Sequence, residues 1–183
     1  MGTIQKPLPV KLFMGILTSI PDSIPHVIER LVACFGAVDL RSELFPFDLT
    51  HYYDETMGTP LYRHFLSFAE PIEPSSLAEI KIKTNEMESA TAGEHSTVRR
   101  PVNLDPGYLE QSKIVLASTK NFYHRILLSR GIYAEVTLHF EKGAWRPFPW
   151  TFPDFKTDRY YPFFLALRDL YKAQLDRISH VTS

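Results

Sequence analysis

VKLFMGILTSIPDSIPHVIERLVACFG, residues 10–36, decides the fold class. The apolar run at 10–19 is short and meets Pro21 just beyond its end, so it reads as a buried strand opening into a turn. Asp22 or Ser23 can cap the helix that follows, and Pro25 is tolerated in its first turn. Val27, Ile28, Leu31, Val32 and Phe35 recur at helical spacing until Gly36 ends the run. A strand feeding an amphipathic helix sets the pattern for what comes next.

AVDLRSELFPF (37–47) alternates enough for a second strand, with Pro46 ending or edging it, and LYRHFLSFAEPI (61–72) gives a third. Between them DLTHYYDETMGTP is a polar and aromatic loop or short helix. PSSLAEIKIKTNEMES, from Pro74, reads as a second helix capped by Ser75 or Ser76, with Glu79 complementing its dipole. TAGEHSTVRR (91–100) lacks an apolar period and reads as a loop, and PVNLDPGYL as a strand closed by an Asp-Pro-Gly turn. The order β-α-β-β-α-β is that of a ferredoxin-like antiparallel sheet. A helix over EQSKIVLASTK, a C-terminal β-hairpin over 124–143, a short strand over 144–148 and a final helix over 161–178 extend it. Pro162 is allowed in that last helix, and Phe164, Leu167, Tyr171, Leu175 and Ile178 form its stripe. The expected fold is therefore α+β, one domain over residues 1–183.

The hairpin HRILLSRGIYAEVTLHF constrains side-chain placement most, because register decides which side chains meet. Ile132, Ala134, Val136, Leu138 and Phe140 alternate onto one face, leaving Tyr133, Glu135, Thr137 and His139 on the other. A three-residue loop at 129–131, with Gly131 left-handed, pairs Leu128 with Ile132 and sets Arg125 opposite Glu135, with His124 on the apolar face. A two-residue Arg130-Gly131 turn would instead set His124 beside Thr137. Turn chemistry and face matching favour the first. Arg125 and Glu135 are then a cross-strand ion pair on a wet face, or part of a covered pocket in which Glu135 and His139 exchange protons or hold a metal.

Elsewhere Asn103 and Asp105 share a face if extended, which suits a turn or a ligand contact at a strand end. Lys113, Lys120, His124, Arg125 and Arg130 make a local basic excess, though exposed lysines need no ligand to explain them. Neither GxxxxGKS/T nor GxGxxG occurs, and neither HExxH nor GxSxG, so no cofactor or metal is assigned. His51 with Asp54 is a further pair of interest. FPWTFPDF (148–155) is a ligand lid or an apolar clip for the final helix, and its Pro-fixed apolar content favours the clip.

Net charge is −1 and the pI about 6.7, so no global field draws nucleic acid or an anionic membrane. The N-terminal apolar run is too short to span a bilayer and lacks a signal peptide's basic start, and Cys34 has no partner cysteine. Cys34 is expected buried in its apolar helix. Cytoplasmic location is the expectation. Twenty-four aromatics in 183 residues, with fourteen prolines, suggest aromatic clusters closed by rigid loops.

VKLFMGILTS, FPFDLTHYYDETMG, VNLDPGYL, KIVLASTKNFYHRI, GIYAEVTLHF and PWTFPDF together resemble a prokaryotic family known only as a domain of unknown function, some members of which carry a GTP-binding label. The resemblance implies no catalytic residues. From the residues themselves three functions are open. The first is binding of a small anionic or nucleotide-like ligand, with Lys120, Arg125 and His124 meeting its charge and Asn103 and Asp105 orienting it. The second is a metal-dependent or acid–base hydrolase using Asp105, Glu135 and His139. The third is a protein-interaction module acting through the Tyr52 and Trp150 loops.

Overall fold

Strand β1 (Lys11–Thr18) is buried at all eight residues, because both of its faces are covered. Leu12, Met14 and Ile16 pack with Val27, Ile28 and Leu31 of α1 (Ile24–Phe35) and Ile80 of α3 (Leu77–Glu94). Phe13 points the other way, into a cluster with Phe163, Phe164, Leu167 and Tyr171 of α4 (Tyr161–Val181). This period-two division is what a strand between two helical layers requires. The computed structural model describes residues 2–94 and 98–181.

β1 pairs antiparallel with β4 (Tyr62–Phe68) on one side and β5 (Val102–Leu109) on the other. Beyond β4 lie β2 (Val38–Arg41) and the two-residue β3 (Phe45–Pro46), and the short α2 (Asp54–Met57) follows them in the chain. Beyond β5 come β6 (Lys113–Ser118), β8 (Ile132–Glu141) and β7 (Ile126–Ser129), with β9 (Ala144–Pro147) also on β8. The protein is α+β: four helices and a nine-stranded antiparallel sheet of order β2-β4-β1-β5-β6-β8-β7 among the described residues. That sheet is larger than a four-stranded ferredoxin-like unit. Among the described residues no helix is long and apolar enough to cross a membrane.

Several local expectations are corrected. Residues 113–118, expected as helix, form β6: Ile114 and Val115 are β-branched, and successive side chains enter different clusters, Ile114 with α4 and Val115 with α3. Asp105-Pro106-Gly107 does not turn. It continues β5, with Met14 opposite Pro106 and Phe13 opposite Gly107. The second helix runs to Glu94, into the stretch expected as loop, while residues 95–97 lie outside the described residues. Cys34 is exposed, because it falls beside rather than on the Val27–Leu31 stripe.

The β7–β8 hairpin combines both expected forms. Its turn is the two-residue Arg130-Gly131, with φ of 51° and 77°, as a type I′ turn demands. A bulge at Leu128 then absorbs one residue, so Leu127 still faces Tyr133 and Ile126 faces Ala134. A second irregularity, in β8 at Thr137, breaks the single apolar face expected there. Ile132, Ala134 and Val136 pack towards α3, whereas Leu138 and Phe140 pack with Trp145 in the cluster beneath α4.

Candidate functional site

β5 is paired with β1 along its whole length but with β6 only from Gly107 to Leu109. Two features force the close pairing at that end and release it at the other. Gly107 lets the strands approach: a Cβ there would lie 2.6 Å from Phe13 Cζ and from the Val115 carbonyl oxygen. Pro106, which has no N–H to give, stands where the ladder to β6 stops. The strands then part, and a cavity of about 530 Å³ opens between them. Lys81 and Asn85 of α3 close it from one face of the sheet, and Tyr52, Tyr53, Phe152 and Phe155 from the other.

The inner wall is a chain of charges. Asn103 and Asp105 alternate onto the face away from α3, as their spacing predicts. Arg63 of β4 reaches across β1 to donate from Nη1 to Asp105 Oδ2 at 2.8 Å. It can do so because the intervening residue is Gly15, whose Cβ would lie 3.2 Å from Arg63 Nη1. Asn103 Nδ2 donates to the same Asp105 oxygen at 2.7 Å, and Arg100 donates to Asn103 Oδ1. Arg100 Nη2 also meets Glu88 Oε2 at 2.7 Å, and Glu88 accepts the Leu104 N–H at 2.8 Å. Lys81 donates to the Leu104 carbonyl at 2.6 Å.

Arg63 also lies 3.5 Å from Asp154, which is buried beside the Tyr160 hydroxyl. Burial opposes charge on all three groups, but not with the same result. The two carboxylates outweigh it at Arg63 and hold the guanidinium above its ordinary pKa. Arg63, Lys81 and Arg100 outweigh it at Asp105, whose pKa is held below the ordinary carboxylate value. At Asp154 burial wins over Arg63 and, with Asp105 nearby, pushes the carboxyl up.

The outer wall is built on Glu135, whose side chain is 7% exposed. Its Oε2 accepts from Arg125 Nε at 2.8 Å and His124 Nε2 at 3.0 Å, and Thr137 Oγ1 lies 3.3 Å from Oε1. Arg125 therefore does stand at Glu135, as the register required. His124 joins them instead of facing the apolar side, because it precedes β7 in a turn and escapes the strand's alternation. Its ring stacks on Trp150 at 5.4 Å and 11°, and Trp150 Nε1 donates to the Val136 carbonyl at 3.1 Å. Arg125 also donates to the Lys120 carbonyl at 3.0 Å. Lys120 itself bonds the Tyr52 hydroxyl from across the mouth and lies 4.5 Å from that ring's centroid. Its ammonium holds the Tyr52 phenol below its ordinary pKa.

Asn103, Asp105, Lys120, His124, Arg125 and Glu135 thus line one cavity. His139, expected to share Glu135's face, does not join them. The β8 irregularity turns it away, to lie against Phe148 at 4.7 Å and 3.8 Å from Glu141, with Nδ1 buried and unbonded. His51 and Asp54 bond each other at 2.7 Å on the surface. Lys113 pairs with Glu110 at 3.0 Å rather than with the cavity. Among the described residues no three His, Cys, Asp or Glu side chains converge as a metal site would need. Of the two roles weighed for the Pro-aromatic stretch, the packing shows the clip, with Phe155 beneath α4; Phe152 and Phe155 also line the cavity.

Sequence reasoning missed Arg63, Lys81 and Arg100. Arg63 carried a usable signal, since alternation in LYRHFLSF puts it on the inward face with Phe65, where an arginine needs a carboxylate. No match is found among curated proteins or among solved structures. The model of one family matches residues 8–171, and its description reads domain of unknown function (DUF4416).

Proposed function

Starting from the chain's membership of DUF4416, a family defined as a domain of unknown function, we propose that the cavity between β5 and β6 binds a small anionic or nucleotide-like ligand. One observation carries the reading: five fixed cations, Arg63, Lys81, Arg100, Lys120 and Arg125, line a single cavity with two carboxylates, Asp105 and Glu135. Four of those cations have a carboxylate within 3.7 Å, at Asp105, Glu88 or Glu135. Lys120 is paired instead with a neutral hydroxyl and an aromatic face, which leaves its charge available to an incoming anion. Tyr53, Phe122 and Phe152 add aromatic surface for a ring, and Asn85 and Asn103 add amides.

The test is equilibrium dialysis of the protein against GMP, GTP and inorganic phosphate. Binding is expected for at least one, with Lys120→Glu weakening it by about tenfold or more, since each ~1.4 kcal/mol is a factor of ten. No retention of any of the three by the folded wild type at millimolar concentration would sink the reading.

The acid–base alternative draws support from the His124–Glu135 contact inside the cavity, but not from His139, which lies elsewhere. Strand order β2-β4-β1-β5, with α1 and α3 on one face, supports reading the first half of the chain as a ferredoxin-like βαββαβ unit. A lone cysteine without a partner supports a reducing, cytoplasmic setting.

A further inference from the structure

The two outer edges of the sheet are finished differently. On β2, Val38 and Leu40 pack inward, Asp39 takes hydrogen bonds from Lys11 and Ser67, and Arg41 adds a charge at the end. Such an edge discourages further strand pairing. β7 carries Ile126, Leu127 and Leu128 in succession, exposed by 74%, 56% and 42%, and among the described residues it pairs with β8 alone. Phe122 and Tyr123, just before it, are exposed by 58% and 78%. Arg125 and His124 are turned onto Glu135, and Arg130 at the turn is held by Glu79 at 2.6 Å.

We propose that β7 and the Phe122–Tyr123 corner form a symmetric dimer contact with a second copy of this chain. The five exposed side chains themselves carry no charge, so the strip's best complement is another strip like itself. Antiparallel apposition about a two-fold axis at Leu127 places Ile126 of one copy against Leu128 of the other. The five side chains expose roughly 500 Å² per copy, so about 1,000 Å² would be covered in the pair, the lower bound for a specific interface. The bulge at Leu128 limits regular backbone pairing to the start of the strand, so side chains supply most of the contact. A weak, concentration-dependent dimer follows. Apart from Phe122 these residues lie outside the cavity, and the proposal does not depend on ligand binding.

Sedimentation equilibrium of the full chain from about 1 to about 200 µM spans the affinities expected of so small an interface. Wild type should shift from monomer to dimer, Leu127→Lys should stay monomeric, and Leu165→Lys on the exposed side of α4 should behave as wild type. If circular dichroism shows Leu127→Lys unfolded, Ile126→Thr, which keeps strand propensity, replaces it. A wild type that remains monomeric throughout overturns the proposal. So does a dimer that the folded β7 variants leave intact.

Discussion

Glu135 satisfies Arg125, His124 and Thr137 at once and is nearly buried, so its removal strands a guanidinium and an imidazole in the cavity wall. Glu135→Ala should cost about 3 kcal/mol in urea unfolding, the usual result of unpairing one member of a buried charged contact. Asp105 and Asp154 should give opposite pH responses. Asp105 has a folded pKa below its unfolded value, so its contribution is present above the ordinary aspartate range and is lost as pH falls through the folded pKa. Asp154 has a raised folded pKa, so its contribution is present below that range and is lost as pH rises through the folded pKa. Thermal unfolding across pH should therefore show Asp105→Asn losing part of the wild type's acid sensitivity. Asp154→Asn should gain on the wild type as pH rises. Most of the outer wall was legible because Lys120, His124, Arg125 and Glu135 fall within sixteen residues of sequence. Arg63 and Asp105 are 42 positions apart, and only the strand order brings them together.

β5 and β6 show why elements were harder to read than residues. Asp-Pro-Gly is chemically a turn, yet each member has a reason to stay extended: Asp105 has Arg63, Pro106 sits where no ladder bond to β6 is needed, and Gly107 gives the close approach. Gly107→Ala tests that account. With Phe13, Val115 and Leu116 atoms at 2.6 to 2.8 Å from the new Cβ, the substitution should destabilise by about 2 kcal/mol, read from the urea midpoint. The hairpin register was recoverable from face matching, whereas its two-residue turn was only the less favoured alternative, because turn chemistry pointed to a three-residue loop. The bulge at Leu128 compensates for a shorter loop, and nothing local in Leu-Leu-Ser announces it. Helix α4 and strand β1 were read nearly to their ends, since uninterrupted periodicity leaves little room for tertiary override.

Across the whole molecule, the sheet has two halves joined at one short ladder, and two helices bridge them. α3 contributes Ile80 to the cluster around β1 and Leu77 and Ala78 to that around β6, while α4 packs on Phe13 and Ile114 alike. Hydrogen exchange should reflect this arrangement. Amides of β1, buried along its full length, should exchange last and only through global unfolding, and those of β7 first. The antiparallel α+β character was visible in the alternation of strand and helix signals, whereas the full width of the sheet was hidden by the misread β6.

The short ladder has a mechanical consequence. Three residue pairs, Gly107–Leu109 against Leu116–Ile114, fasten the two halves along one line, and the strands part beyond it like the two blades of a pair of shears. A small rotation about that line changes the gap most at its open end, where Asn103 and Ser118 stand. An object lodged between the blades would act as a wedge that sets their angle, and the stiffness of α3 across their backs would set how hard they grip.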